Sequence, residues 1–313
     1  MQINYSKNKY YKKTKKKIKL FKILLSVFLF FLIVFLFILI IKNIKLNKKS
    51  DNKEIYKKFF SEKNYLELIK ILDNDLKKDP FKQKNLVYRG YSYFFLAEDE
   101  EDLSKKKVFL NLSLLDLRKS IAIGVPKKNL GNIYFIIGKI YFYLGEPYYN
   151  QSLKYLKKSL EFNNKRIDLL YMLGILYSDI GDYKESIKFF TDALKYEESD
   201  LLLLAIANSY YKDNNYSNAK IFIKKILEKS DDNKIIEKSY LLLGIIYYNE
   251  NNFDDSLTYF EKVLNLNDNN VQAYFYIGEI YYNKNNLIKA RAEWRKVLEI
   301  DPSHIKARKR LYY

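Results

Sequence analysis

One histidine, His304, stands in a chain of 313 residues. Any histidine-based acid–base or ligand chemistry would have to run through it. It follows the dipeptide "DP" (301–302), where a helix is due to start, and that place suits a surface or capping residue rather than a catalytic base. Cysteine is absent. That excludes disulfides, thiol nucleophiles, cysteine-ligated metal and a bacterial lipoprotein anchor. Two acidic clusters, "DNDL" (Asp73 to Leu76) and "NLNDNN" (Asn265 to Asn270), offer oxygens that a hard cation wants. Both lack the spacing and the glycine of a calcium loop, so they read as turn residues with helix-capping roles. No Ser-His-Asp set and no phosphate loop assembles. Catalytic, cofactor and metal residues are therefore all expected to be none.

Aromatic stacking and amide hydrogen bonding are the chemistry this composition does offer, with 31 Tyr and 21 Phe. These residues recur in order. "YFYIGEIYYNKNNLIKARAEW" (Tyr274 to Trp294) has the plan of "YLLLGIIYYNENNFDDSLTYF" (Tyr240 to Phe260) and of "LLYMLGILYSDIGDYKESIKFF" from Leu169. A small-residue column reads Gly138, Gly174, Ala207, Gly244, Gly278, with steps of 36, 33, 37 and 34 residues. A fixed period in the thirties signals stacked repeats.

The elements that must position these residues are helices. From Asn52 onward apolar residues recur at spacings of three and four, and no alternating strand pattern is present. Breaks such as "SDIGDY", "KDNNYS", "NENNFD" and "NKNNLI" have the length and composition of turns between antiparallel helices. In each unit the first helix carries a Leu/Ile–Gly pair and a tyrosine. The second carries a small residue with a large one four later: Ser113/Leu117, Ser152/Leu156, Ser186/Phe190, Ala219/Ile223, Ser256/Phe260, Ala290/Trp294. Small positions admit close helix approach and large ones fill the space. One irregular segment, 97–107, is expected as a solvated loop or a helical extension, serving as a docking element or as a spacer.

The pattern Tyr274, Ile277-Gly278, Tyr281, Ala290, Trp294, Val297, Pro302 resembles the tetratricopeptide repeat (TPR). The resemblance implies an all-α fold, a right-handed α-solenoid of helix-turn-helix repeats. About seven repeats are expected over 52–302, the first degenerate and the second carrying the insertion 97–107, with a capping helix at 303–313. It further implies a concave groove lined by first helices. Positions matching the groove-lining columns supply Phe142, Tyr171, Asn208, Tyr211, Tyr248, Asn249, Phe275, Tyr282 and Asn283 as candidate partner-binding residues. Lys and Asn are missing from the first column, so a clamp for a C-terminal carboxylate is not expected. An aromatic groove edged with Asn suits an extended or helical peptide.

Before the repeats, residues 1–22 form a basic tail, and "ILLSVFLFFLIVFLFILII" (Ile23 to Ile41) is apolar but for Ser26. At ~1.5 Å per residue it reaches ~28 Å, near the ~30 Å hydrocarbon core, so a single transmembrane helix at 23–41 is expected, with a juxtamembrane linker at 42–51. Thirteen of the Lys lie in residues 1–49, without a carboxylate. That basic excess reads as membrane contact rather than specific nucleic-acid binding. The lysine bias favours a cytoplasmic N-terminus and an extracytoplasmic repeat domain, in a bacterial inner membrane. The expected function is a membrane-anchored scaffold binding protein or peptide partners in envelope assembly or quality control. Alternatives are a cytoplasm-facing scaffold of a secretion or motility complex, or an accessory subunit of an envelope enzyme.

Overall fold

The computed structural model describes residues 31–39, 54–162 and 166–312. All regular structure among them is helical, without a strand. Of the apolar run 23–41, residues 31–39 are described, and they are helical. Among the described residues no helix is long and apolar enough to cross a membrane. This overturns the expected single-pass inner-membrane location, and among the described residues nothing supports the transmembrane part of the fold or the membrane as partner. The remainder of 23–41, with the tail 1–22 and the whole 42–51 linker, lies outside the described residues.

The chain divides into two compact units, one ending at Gly124 and one beginning at Val125. In the first, α1 (54–61) and α2 (Tyr65–Lys78) are followed by α3 (Gln83–Asp99) and α4 (Leu103–Ile123). Tyr56, Leu68 and Leu72 form a core against Phe59, Phe60 and Tyr88. Residues 97–107 are helical on both sides of a short break at 100–102, ending α3 and opening α4. Asp102 caps α4 by accepting the Ser104 and Lys105 amides.

The "DNDL" cluster is not a turn. It lies inside α2. Asp73 pairs with Arg89, whose guanidinium also grips Asp116 through Nε (2.7 Å) and Nη2 (2.8 Å). Asp75 accepts bonds from Tyr56, Lys82 and Asn85. These tertiary partners outweigh the turn preference of Asp and Asn. "NLNDNN" does cap: the Asn270 side chain accepts the Ala273 amide.

The second unit runs α5 (Lys127–Tyr143), a 3₁₀ turn (Glu146–Tyr148), α6 (Tyr149–Glu161), α7 (Ile167–Asp179), α8 (Tyr183–Leu194), α9 (Asp200–Lys212), α10 (Tyr216–Lys229), α11 (Asn233–Asn249), α12 (Phe253–Leu266), α13 (Val271–Asn283), α14 (Leu287–Ile300) and α15 (Ile305–Tyr312). Successive helices pack pairwise, α5 on α6 through α13 on α14, and α15 closes on α14. The first helices α9, α11 and α13 also touch in sequence.

Three turns of this unit share one construction. After α9, α11 and α13 the chain passes through a left-handed residue, Asn214, Asn251 or Asn285, with φ of 59°, 60° and 57°. Its amide bonds back to the carbonyl of Tyr211, Tyr248 or Tyr282, and the next amide reaches Tyr210, Tyr247 or Tyr281. That is the Schellman pattern at a helix C-terminus. The following residue, Asn215, Asn252 or Asn286, then caps the next helix with its side chain. Two adjacent asparagines thus stop one helix and start the next.

The small column works by contact. A Cβ placed on Gly174 would stand 2.5 Å from the Phe190 ring, and one on Gly278 would stand 2.5 Å from the Trp294 indole. Serines of the second helices add a bond that spacing alone does not announce. Ser152, Ser186 and Ser256 hydroxyls donate to the carbonyls of Gly138, Gly174 and Gly244 at 2.7–2.8 Å. All three serines are fully buried.

Candidate functional site

The groove candidates lie in the second unit on its first helices, at their C-terminal ends and one or two turns earlier. Residues of one column meet residues of the next repeat. Asn283 Nδ2 donates to Tyr248 Oη at 3.2 Å, and Asn249 Nδ2 to Tyr211 Oη at 3.4 Å. One repeat earlier Lys212 Nζ reaches Ser178 Oγ at 3.5 Å. The result is a ladder in which each rung ties the end of one first helix to the end of the preceding one. Asn283 donates as well to the Glu279 carbonyl, which holds its amide against α13. The sequence places Tyr and Asn in these columns, but their cross-repeat pairing depends on the distance between stacked helices.

Other candidates do not join this set. Phe142 stacks on Tyr149 (6.2 Å between ring centroids). Tyr171 packs on the buried Phe190 (5.4 Å) and so belongs partly to the core. Asn208 turns its amide onto its own helix, donating to the Leu204 carbonyl at 2.9 Å. Tyr248 is half-buried among Phe253 and Tyr276. Tyr282 is the open one, 45% exposed, with its ring 5.8 Å from Trp294.

Tyr248, Phe275 and Tyr282 do share one cleft of about 670 Å³ at the end of the unit, with Tyr276 beside them. Its other wall is Leu287 and Arg291 of α14 and Lys306, Lys309 and Arg310 of α15. Arg291 escaped the groove columns because it lies on a second helix, and Lys306, Lys309 and Arg310 because α15 lies outside the repeat pattern. On its floor Glu279 is buried and gripped by Arg310 through Nε (2.8 Å) and Nη2 (2.6 Å). That bidentate bond raises the Arg310 pKa, with burial opposing it. The guanidinium lies 4.9 Å from the Tyr282 ring centroid and 5.7 Å from that of Trp294. Burial raises the Tyr276 phenol as well, aided by the neighbouring phenols of Tyr211 and Tyr248 and the Glu279 charge. His304 sits at the mouth of α15. Its Nδ1 accepts the Ala307 amide at 3.1 Å and its ring rests on Phe275, so it caps a helix. Among the described residues no group of three or more His, Asp or Glu is placed to hold a metal ion.

The geometry has relatives. The C-terminal part of a TPR repeat-containing protein from Cytophaga hutchinsonii superposes with a TM-score of 0.61 at 18% identity, covering 83% of this chain and 99% of that one. YrrB, a TPR protein with an unusual peptide-binding site, gives 0.47 at 22% identity over 62% of this chain and 96% of its own. MamA from residue 41 to its end, from Desulfovibrio magneticus RS-1, gives 0.49 at 20% identity over 56% and 98%. No curated protein matches the sequence. Residues 151–307 match the family model of the tetratricopeptide repeat protein 21 C-terminal ARM domain. With helix pairs of TPR plan on either side of its small column, and half of its length matched, this chain belongs to the tetratricopeptide-repeat family.

Proposed function

We propose that the second unit is a non-catalytic scaffold that binds a protein or peptide segment. Its first helices would line the concave face of a right-handed superhelix, with Tyr211, Tyr248, Tyr282, Asn249 and Asn283 as the binding floor. The observation that carries this reading is the Tyr–Asn ladder ending in the exposed Tyr282 ring. Tyrosines so held present a rigid, amphipathic face at little conformational cost, which suits recognition of a peptide. Phe142, Tyr171 and Asn208 make their contacts inside their own helix pairs, so they support the floor more than they offer surface.

Selection from a random peptide library on the immobilised full chain tests the reading. Wild-type protein is expected to enrich a peptide set. Tyr248→Ala combined with Tyr282→Ala should lose that set while the melting temperature holds. A wild-type chain that enriches nothing refutes the scaffold. A double variant that no longer folds would show that these tyrosines are core, and Asn249→Ala with Asn283→Ala then decides whether the floor binds.

A further inference from the structure

The charge of the second unit is segregated. Residues 125–290 carry 21 Lys and Arg against 21 Asp and Glu, whereas 291–310 carry seven against three. The whole positive excess of the unit therefore sits in its last twenty residues or so, on α14 and α15. Three of these cations, Arg291, Lys306 and Lys309, wall the 670 Å³ cleft. Among the described residues none of the three has a carboxylate within ion-pair reach, while the cleft's one carboxylate, Glu279, is already satisfied by Arg310. The same cleft is lined by aromatic surfaces, Phe275 and Tyr282, the second with the Arg310 guanidinium 4.9 Å from its ring centroid. A cleft of this size is in the range that holds a small ligand or a few residues of chain.

We infer that this cleft takes a short acidic peptide segment, with carboxylates meeting Arg291, Lys306 and Lys309 and an intervening aromatic side chain laid against Phe275 and Tyr282. The inference rests on the scaffold reading above and names the partner's chemistry. Charge complementarity selects an anion, because unpaired cations over low-dielectric aromatic walls raise the local concentration of opposite charge. The segregation selects a short segment over a nucleic-acid strand. A strand binder tracks a long phosphate backbone with an excess of basic residues spread along its length, and here residues 125–290 carry no net charge. The arrangement also explains why Glu279 is buried. It holds the Arg310 guanidinium 4.9 Å from the Tyr282 ring centroid, so that this side of the cleft is preset before a ligand arrives.

The test is fluorescence anisotropy with the full chain and a labelled, end-blocked peptide EEFDEE, its uncharged twin QQFNQQ, and a labelled oligouridylate. EEFDEE is expected to bind saturably, with affinity falling as salt rises. The twin should bind about tenfold more weakly or not at all, and oligouridylate should not saturate. Lys306→Gln with Lys309→Gln, both exposed and unpaired, should weaken EEFDEE by about tenfold at an unchanged melting temperature. Equal binding of the twin, or indifference to the double variant, overturns the inference. Tighter, Lys306- and Lys309-dependent binding of oligouridylate overturns it in favour of a nucleic-acid site. If library-selected peptides bind the chain but are neither acidic nor sensitive to Lys306 and Lys309, the scaffold stands and this cleft falls. If no peptide of any kind binds, both fall.

Discussion

Gly174 faces the Phe190 ring so closely that a methyl group would need the ring to move by about an ångström, and the ring is rigid and fully enclosed. Alanine gains about 1 kcal/mol of helix propensity over glycine, yet overpacking of this kind costs about 1–3 kcal/mol. Gly174→Ala is therefore expected to lower stability by up to about 2 kcal/mol net, read as a lower urea midpoint at an unchanged slope. Ser256→Ala should cost about 1 kcal/mol through the bond to the Gly244 carbonyl alone, because alanine already occupies that column at Ala219 and Ala290. Titration adds a second residue-scale expectation. Burial first, then the hydrogen bond to Asp75 and its charge, push the Tyr56 phenol up from 10.0 to about 12. The fold thus favours the protonated phenol. Its contribution is complete below pH 10 and is lost as pH rises through about 12. Asp75 runs the other way. Burial raises it, but bonds from Tyr56, Lys82 and Asn85 prevail and hold it below 3.8, so its contribution is lost as pH falls below that value. Urea midpoints across pH should show Tyr56→Phe losing less stability than wild type between pH 10 and 12; parallel curves would sink the assignment.

At the scale of elements, the asparagine pairs decide where helices end. Asn251 holds φ at 60°, a region that costs an ordinary L-residue about 1–2 kcal/mol and a β-branched one at least as much. Asn251→Gly is expected to leave stability within about 0.5 kcal/mol, whereas Asn251→Val should cost about 1–2 kcal/mol, both read by chemical denaturation. Asn252→Ala should remove about 1 kcal/mol of capping, because its side chain accepts the Asp255 amide. Equal effects of Gly and Val at residue 251 would show that the turn is not held in the left-handed region. These turns were legible as turns from their Asn, Asp and Gly content. That one asparagine terminates and its neighbour initiates was not, since this depends on which carbonyls lie within reach once both helices exist. The "DNDL" stretch shows the converse. Its composition is that of a turn, and only the cations and phenol brought to it by neighbouring helices keep it helical.

For the molecule as a whole, the single tryptophan is a local reporter. Trp294 is fully buried among Ala290, Val297 and Ala307, so its emission follows the last helix pair and α15. Stability in stacked repeats is a sum of local and nearest-neighbour terms, and an end repeat has only one neighbour. The urea midpoint from tryptophan emission is therefore expected to fall below that from far-ultraviolet circular dichroism. Coincident midpoints would mean that the second unit unfolds as one block. Charge is a whole-molecule property too. The net charge of +19 is no uniform field; it resides chiefly in the lysines of residues 1–49 and, in the second unit, in 291–310.

The sequence by itself determined the helical class, the period and the small–large pairing, because each rests on contacts between residues a fixed distance apart in the chain: spacing within one helix, or the short reach across one turn. Gly278 and Trp294 could be matched for that reason. The tertiary structure alone decided what the columns do across repeats. Tyr211 with Asn249, and Tyr248 with Asn283, meet only when helices from successive repeats stack at a set spacing. The basic wall of the cleft depends on α15 folding back over α14 to bring Lys306 and Lys309 beside Arg291. The apolar run at 23–41 marks the limit of the first kind of reasoning. Composition and length argued for a span, and among the described residues no helix is long and apolar enough to cross a membrane. A composition argument of that kind reads one segment alone, whereas contacts between repeats are set by how the helices stack.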